Sequence, residues 1–214
     1  MKLYTFYSDT HTELYEDYFL KSFNDYGLNK SFELDSTLTR QHEGNGAFDS
    51  EGFNSTMMDK VEILQRAAEE NINEYFIFSD CDVQFFGDFK EDILSYTNGG
   101  ADMIAQSDQG TICAGFFIAK GGEKLKSFFD LIRKKTPLVH NDQIAINKYR
   151  FKINSSLLPS DKYFNISSAS NGALWEEGRA YNLPKNMLMH HANFVIGVEK
   201  KIKMMNYVRE NKDN

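Results

Sequence analysis

The chain has 214 residues, of which 41% are hydrophobic and 26% are charged, as is usual for a soluble globular protein. Its formal net charge is −7, whereas proteins that bind nucleic acids usually carry an excess of lysine and arginine. We therefore expect no nucleic-acid partner. No apolar run approaches the ~20 residues of a membrane-spanning helix. Two cysteines, Cys81 and Cys113, are too few for a disulfide framework, and we interpret them as reduced thiols of a soluble, cytoplasmic protein.

Strand and helix patterns alternate through the first part of the chain. Apolar runs predict two strands, and helical spacing of apolar residues predicts a helix between them. In chain order these elements are Leu3–Tyr7, Glu13–Tyr26 and Phe32–Asp35. Polar, glycine-bearing residues 37–54 predict a long loop, and Ser55 or Thr56 is expected to cap the helix that follows. This order is typical of a nucleotide-binding α/β fold.

The rest of the chain is organised around the segment Glu74–Phe86. Its apolar, aromatic start predicts a buried central strand, which stops at two carboxylates, Asp80 and Asp82. Ligands of open α/β sheets bind beyond the carboxyl ends of strands, where this pair could hold Mn²⁺ or Mg²⁺ against a diphosphate. Asp-x-Asp also arises by chance in an acidic chain, so a solvated turn explains the pair alone equally well.

The second half continues the alternation without an internal repeat or a linker. Strands are predicted at 101–106, 112–118 and, as the last one, 157–159, and helices around 125–132, after Asn141 and at 199–209. Residues 165–182, which carry the only tryptophan, are predicted to form a loop. We therefore predict an α/β fold in one domain, with a central mixed, mostly parallel sheet flanked by helices.

Two motifs near the C-terminal end could complete a site around Asp80. His190 and His191 follow an apolar run, where a structural histidine is the commoner outcome, yet two aspartates and a histidine are a sensible Mn²⁺ ligand set. Downstream, Lys200 and Lys201 could bring cations to a phosphate, although charged helices at a chain end are usually only solvated.

The tripeptide Asn141-Asp142-Gln143 also has two interpretations. Asn141 or Asp142 can simply cap the next helix, which requires no function. Alternatively, Asp142 and Gln143 form the floor of the pocket and contact sugar hydroxyls or the anomeric face.

Taken in order, these motifs resemble the nucleotide-diphospho-sugar transferase families of GT-A fold. They are similar to small viral or bacterial members, such as a chlorella-virus glycosyltransferase domain. The matching motifs are Phe76–Asp82, Ala114–Phe117, Asp142-Gln143, Leu158-Pro159 with Tyr163 and Asn165, and His191–Asn193 with Gly197 and Lys201. The resemblance implies one GT-A domain (Rossmann-like), with a nucleotide-binding half at 1–110 and a donor-sugar and acceptor half at 111–214. One departure is Cys113-Ala114, where many relatives carry a polar residue.

The resemblance also implies a role for individual residues. Mn²⁺ or Mg²⁺ would be bound by Asp80, Asp82 and His191, with His191 preferred to His190. The nucleotide and its diphosphate would be held by Thr5, Tyr7, Ser8 and Thr10, by Lys60 or Arg66, and by Lys200 or Lys201. The donor sugar would be contacted by Asp108, Ala114, Gly115, Asp142 and Gln143, with Asp142 and Gln143 as the catalytic pair. The acceptor is expected to contact the two predicted loops, 37–54 and 165–182. Trp175, in the second loop, is a candidate for stacking against the acceptor.

The function implied by the resemblance is enzymatic. It is a metal-dependent glycosyltransferase of hexosyltransferase type, which moves a sugar from a nucleoside diphosphate sugar, with UDP favoured, to a hydroxyl of a glycan or glycoprotein acceptor. Retention of configuration and a monomer are expected, in the host cytoplasm if the protein is viral. The alternatives are a sugar-1-phosphate nucleotidyltransferase, a metal-dependent phosphohydrolase and a nucleotide-sugar or glycan-binding module. The first is disfavoured because no glycine-rich basic loop follows the first strand.

Overall fold

The computed structural model describes residues 1–42, 50–170, 172 and 174–213. The strands are β1 (Lys2–Tyr7), β2 (Glu33–Leu38), β3 (Tyr75–Ser79), β4 (Val83–Phe85), β5 (Met103–Asp108), β6 (Thr111–Lys120), β7 (Ser155–Leu157), β8 (Tyr163–Phe164) and β9 (Met189–His191). The first helix, α1, joins a π-helical part, Leu14–Leu20, to an α-helical part, Lys21–Asp25. The others are α2 (Glu51–Glu70), α3 (Lys90–Thr97), α4 (Glu123–Val139), α5 (Asp142–Tyr149), α6 (Ile166–Ala169) and α7 (Val198–Asn211).

The main sheet has six strands in the order β2-β1-β3-β6-β5-β7. β6 runs antiparallel to its neighbours β3 and β5, and the remaining pairs are parallel. A second, three-stranded sheet has the order β4-β9-β8. The predicted α/β fold with a mostly parallel central sheet is confirmed.

Helices and the small sheet cover the two faces of the main sheet. On one face, α2, α4 and α5 bury apolar side chains such as Leu64 and Phe129 against Phe117. On the other face, α1 and the small sheet pack around Phe116, with Phe19 among the buried rings. Both faces are therefore dry, which explains why the central strands read as nearly continuous apolar runs.

One edge of the main sheet collects the polar ends of its central strands. The carboxyl ends of β1, β3 and β5 open there, and Ser8, Asp80 and Asp108 lie at these ends. Because β6 is antiparallel, its N-terminal half, which includes Gly115, lies at the same edge. Residues far apart in sequence are thus brought to one place, as expected for a ligand site in an open α/β sheet.

Three predictions about elements are wrong. Helix α2 begins at Glu51 and is capped by Ser50, whose side chain accepts a hydrogen bond from the Phe53 amide at 3.2 Å; Ser55 and Thr56 lie inside the helix. The predicted loop at 37–54 is accordingly shorter, and its residues 43–49 lie outside the described residues. The strand near 157 is not the last one, because β8 and β9 follow it.

The missed strands have a physical reason. β8 and β9 have two and three residues, too few to show a periodic pattern, and they exist because each pairs with a neighbouring strand in the small sheet. The predicted loop at 165–182 likewise contains the four-residue helix α6. Cys81 and Cys113 are both free and buried. Within the part of the chain that the structure describes, no helix is long and apolar enough to cross a bilayer.

Candidate active site

Asp80, Asp82 and His191 meet at the polar edge of the main sheet. Asp80 follows β3, Asp82 precedes β4, and His191 ends β9 opposite Val83 of β4. One ligand atom of each of the three side chains lies within 4.8 Å of the others. His191 Nε2 is 3.2 Å from Oδ1 of Asp82 and 3.9 Å from Oδ2 of Asp80. The pairing of β4 with β9 is what closes this cluster.

The two histidines of β9 point to opposite sides of the strand, as successive residues must. His191 places Nδ1 3.0 Å from Oε1 of Gln106, which orients the ring so that Nε2 faces the carboxylates. His190 is buried on the other side, with Nδ1 3.2 Å from Nε2 of Gln84. Burial lowers the pKa of His190 to about 3. The structure therefore brings His191, and not His190, to the aspartates.

Positive groups of the chain itself hold the Asp82 carboxylate in its ionised form. Burial disfavours the charged form of Asp82, but Lys201 and His191 outweigh this and hold its pKa well below the usual range. Burial would likewise lower the pKa of His191, yet the Asp82 carboxylate raises it to about 10. Two carboxylates and an imidazole whose Nε2 faces them fit Mn²⁺ or Mg²⁺ as a ligand set, with the cation taking the place of the Nε2 proton.

Gly115 of β6 forms the wall of the cluster. A Cβ at this position would lie 2.1 Å from Cε1 of His191 and 2.7 Å from Oδ2 of Asp80. The Gly115 carbonyl also accepts a hydrogen bond from the Asp80 amide at 2.7 Å. Any side chain at this position would therefore occupy the space between the two ligands.

A buried lysine links the cluster to helix α5. Lys60 of α2 is 2% exposed, and its Nζ lies 3.0 Å from Oδ1 of Asp80 and 3.2 Å from Oδ2 of Asp142. Although burial opposes it, the two carboxylates raise the pKa of Lys60. Asn141 is the N-cap of α5, with its side chain accepting from the Ile144 amide at 2.8 Å. The capping role thus belongs to Asn141, and the Asp142 carboxylate is directed to Lys60.

Gln143 joins the predicted donor-sugar residues into one hydrogen-bonded unit. Its Nε2 donates to Oδ2 of Asp108 at 2.8 Å, and its Oε1 accepts from the Ala114 amide at 3.0 Å. The backbone of β6, rather than any side chain at 114, makes the contact. The departure at Cys113-Ala114 therefore leaves this arrangement intact.

Most of the predicted nucleotide residues lie around the end of β1 and on α7. Lys201 forms an ion pair with Asp82, whereas Lys200 is exposed to solvent. Tyr7 stacks on Tyr15 with ring centroids 4.0 Å apart. The hydroxyls of Ser8 and Thr10 lie 3.2 Å and 3.0 Å from Nδ1 of His11. Thr5 is buried within β1.

Two predicted residues are engaged elsewhere. Arg66 extends towards β2, where its Nη2 is 3.1 Å from both Asp35 and Thr37. Trp175 is half-buried against an apolar cluster that includes Met204 and Met205 of α7. Neither contact is with the carboxylate cluster.

Three residues of the site were missed. Gln106 holds the His191 ring, Asn147 of α5 binds the backbone of β6, and His11 lies near Lys201 and Asp82. Burial, followed by the charge of Lys201, lowers the pKa of His11. Gln106 carried a usable signal, since an amide inside an apolar strand needs a buried partner.

Paired carboxylates, a histidine and a lysine at the polar edge of a mostly parallel α/β sheet form a site that fits a diphosphate-linked ligand. The family model agrees: the chain belongs to the nucleotide-diphospho-sugar transferase family, whose model matches residues 27–205. The protein is thus a glycosyltransferase, as the motifs led us to expect.

Solved structures with the same fold include a glycosyltransferase involved in glycosylation of the major capsid of PBCV-1, at TM-score 0.64 and 12% identity over 97% of this chain and 100% of that chain. The galactosyltransferase LgtC, in complex with donor and acceptor sugar analogs, matches at TM-score 0.56 and 12% identity over 97% and 96%. The glycosyltransferase GlyE of Streptococcus pneumoniae matches at TM-score 0.56 and 15% identity, over 100% of this chain and 65% of that chain. No curated protein matches the sequence. At these identities the likeness is one of fold.

Proposed function

We propose that the protein transfers a hexosyl group from a UDP-sugar to a hydroxyl of a glycan or glycoprotein, with a divalent cation held by Asp80, Asp82 and His191. The observation that carries this proposal is the convergence of the three ligand atoms within 4.8 Å beside Lys201. The cation, Mn²⁺ or Mg²⁺, would act as a Lewis acid that offsets the charge of the leaving diphosphate. Capsid glycosylation by one structural neighbour is compatible with a glycoprotein acceptor.

Binding of the diphosphate also falls to residues of this chain. Lys201 is 19% exposed at its side chain, so it can reach a phosphate while remaining next to Asp82. Lys200 is turned to solvent and is the weaker candidate. The nucleoside would lie at the end of β1, where the ring of Tyr7 is half-buried and Ser8 and Thr10 offer hydroxyls. Aromatic and hydroxyl groups suit a nucleoside better than charged side chains would.

The donor sugar would lie over the unit made by Asp108, Gln143 and Asp142. Lys60 keeps the Asp142 carboxylate in place, and Gln143 is fixed by Asp108 and the backbone of β6. Inversion needs a carboxylate that can take the proton of the acceptor hydroxyl. Because Asp142 is 2% exposed and paired with a lysine, it is poorly placed for that task. This argues against Asp142 as the base of an inverting reaction, and we propose retention, with Asp142 and Gln143 beneath the anomeric carbon.

Calorimetric titration of UDP with and without Mn²⁺ tests the cation site. In Asp80→Ala and Asp82→Ala we expect the Mn²⁺-dependent part of the UDP affinity to fall by at least about 100-fold. Loss of a residue that only hydrogen-bonds to a metal ligand already lowers metal affinity by up to about 100-fold. Asp25→Ala is the matched control, because Asp25 is exposed on α1 and pairs only with Lys21 in the described structure.

The control variant should bind UDP like the unaltered protein, and circular dichroism should show that both site variants remain folded, although loss of a buried ion pair lowers their unfolding midpoints. UDP binding that is the same in both site variants, with Mn²⁺ present, contradicts the proposal. A thermal-shift series of UDP, GDP and their sugars would then identify the donor, since a ligand of the folded state raises the midpoint by mass action.

A further inference from the structure

A cluster of lysines and aromatic rings lies at the far end of helix α5 from the active site. Nζ of Lys135 and of Lys148 lie 6.0 Å and 5.8 Å from the ring of Tyr149. The Tyr149 ring is 6.4 Å from that of Phe151, and Nζ of Lys152 is 5.5 Å from the Phe151 ring. Lys134 and Arg150 are the exposed sequence neighbours of Lys135 and Tyr149, and we name this whole set of residues the basic aromatic patch.

The charge of this surface is opposite to that of the whole chain. Residues 131–152 contain six lysines and arginines and a single acidic residue, Asp142, which is buried in the active site. Arg133 pairs with Glu62. Among the described residues, no carboxylate lies within ion-pair distance of the five cations of the patch, Lys134, Lys135, Lys148, Arg150 and Lys152. Asp130, one turn before Lys134 on α4, pairs with Lys126 and feels the charge of Lys134 only at longer range. In a protein of net charge −7, such a concentration of unpaired cations attracts anions.

The patch also projects apolar side chains into solvent. Phe151, in the 3-10 turn Arg150–Lys152 that follows α5, is 75% exposed. Leu138 lies one turn after Lys134 on α4, beside the patch, and is 70% exposed. A polyanion such as nucleic acid would use the cations but would leave the Leu138 side chain in water. A bilayer surface satisfies both groups, since its headgroups carry charge and its acyl boundary accepts apolar side chains.

We propose that the basic aromatic patch binds the surface of an anionic phospholipid bilayer, with Phe151 entering the headgroup region. Lysines around an exposed ring suit this boundary because their stems are apolar and their ammonium groups reach the phosphates. Helix α5 runs from Asp142 in the active site to Tyr149 in the patch, a rise of about 10 Å. Binding would therefore hold the active site close to the lipid surface.

Co-sedimentation with vesicles tests this binding without any sugar donor. The full chain is mixed with vesicles of phosphatidylcholine alone or of equimolar phosphatidylcholine and phosphatidylserine. We expect binding to the mixed vesicles only, weakened by salt. In the triple variant Lys148→Gln/Arg150→Gln/Lys152→Gln, partitioning should fall roughly 100-fold, given the contribution of each cation near an anionic surface.

The matched control is Lys30→Gln/Lys120→Gln/Lys185→Gln, which removes the same charge from exposed lysines on other elements. It should bind the mixed vesicles nearly as well as the unaltered chain. Insertion of the ring is read separately in Phe151→Trp, whose fluorescence should shift to the blue on mixed vesicles. The natural Trp175, measured in the unaltered chain, supplies the background.

Several results would overturn the proposal. They are no binding to mixed vesicles, equal binding to neutral ones, and equal loss in the two triple variants. Retention on a polyanion resin without binding to vesicles would also overturn it, and would point to an acidic macromolecule instead.

Discussion

At the scale of single residues, Gly115 shows how the site depends on a missing atom. Its φ angle is not in the left-handed region, so backbone freedom is not the reason for glycine here. The reason is space, because His191 and Asp80 approach the position where a Cβ would stand. His191 cannot easily move aside, since Gln106 holds one side of its ring and the β4–β9 pairing holds its backbone.

Replacing Gly115 by alanine should therefore damage the site more than the fold. We expect Gly115→Ala to lose roughly 1–3 kcal/mol of unfolding free energy, as for overpacking of a core, and to lose most of its Mn²⁺ affinity. Denaturant unfolding and calorimetry with Mn²⁺ measure the two effects. Gly99→Ala is the control, because a Cβ there meets no atom nearer than 3.8 Å. Unchanged Mn²⁺ affinity in Gly115→Ala would show that the cation does not lie between His191 and Asp80.

At the scale of elements, helix α5 completes the edge of β6. β6 extends beyond the end of β3, and its N-terminal half would otherwise lack partners on that side. Asn147 Oδ1 accepts from the Ile112 amide at 2.9 Å, and its Nδ2 donates to the Ile112 carbonyl at 2.8 Å. Gln143, one turn earlier, binds the Ala114 amide in the same way. Side-chain amides thus replace a neighbouring strand.

Asn147→Ala removes this support without touching the proposed ligands. Each buried backbone group left unpaired should cost roughly 1–3 kcal/mol of unfolding free energy, and the displaced helix should lower transferase activity through Asp142. Urea unfolding and initial rates measure both effects. Asn24→Ala, an exposed position of α1, should change neither. If Asn147→Ala unfolds like the unaltered chain, the amide contacts contribute little to the fold.

At the scale of the molecule, the two halves predicted at 1–110 and 111–214 are interleaved. β6 belongs to the second half, yet it lies between β3 and β5 of the first half. The small sheet likewise joins β4 to β8 and β9. We propose that both halves form a single cooperative domain.

This proposal predicts one unfolding transition and no independent half. A fragment of residues 1–110 would expose the apolar edges that β6 covers, so it should aggregate or remain unfolded, whereas the full chain should unfold in one step. Circular dichroism and calorimetry of the two proteins decide the matter. A folded, soluble fragment with a cooperative transition of its own would contradict it.

Local pattern alone was enough to predict the fold class and the position of the Asp-x-Asp pair. The apolar runs of β3 and β6 are nearly uninterrupted because both faces of the sheet are covered, so they can be recognised in the sequence alone. The order of the motifs also led to the transferase family that the family model matches. The start of α2 was missed because Ser50, Ser55 and Thr56 are all good N-cap residues, and only the structure shows that Ser50 caps the helix. The strands β8 and β9 were missed because such short elements form only through pairing with their neighbours.

Contacts between distant segments decided the rest. His191 faces the aspartates because its side of β9 turns towards the main sheet. Lys201 does so because of the rotation of α7 about its axis. Lys60 was predicted as a nucleotide ligand, but its place between Asp80 and Asp142 depends on the packing of α2 and α5. Neither arrangement is encoded in a sequence spacing. The position of Asp80 and Asp82 at a strand end was predicted from the sequence, whereas their partners Lys60, His191 and Lys201 were decided by the tertiary structure.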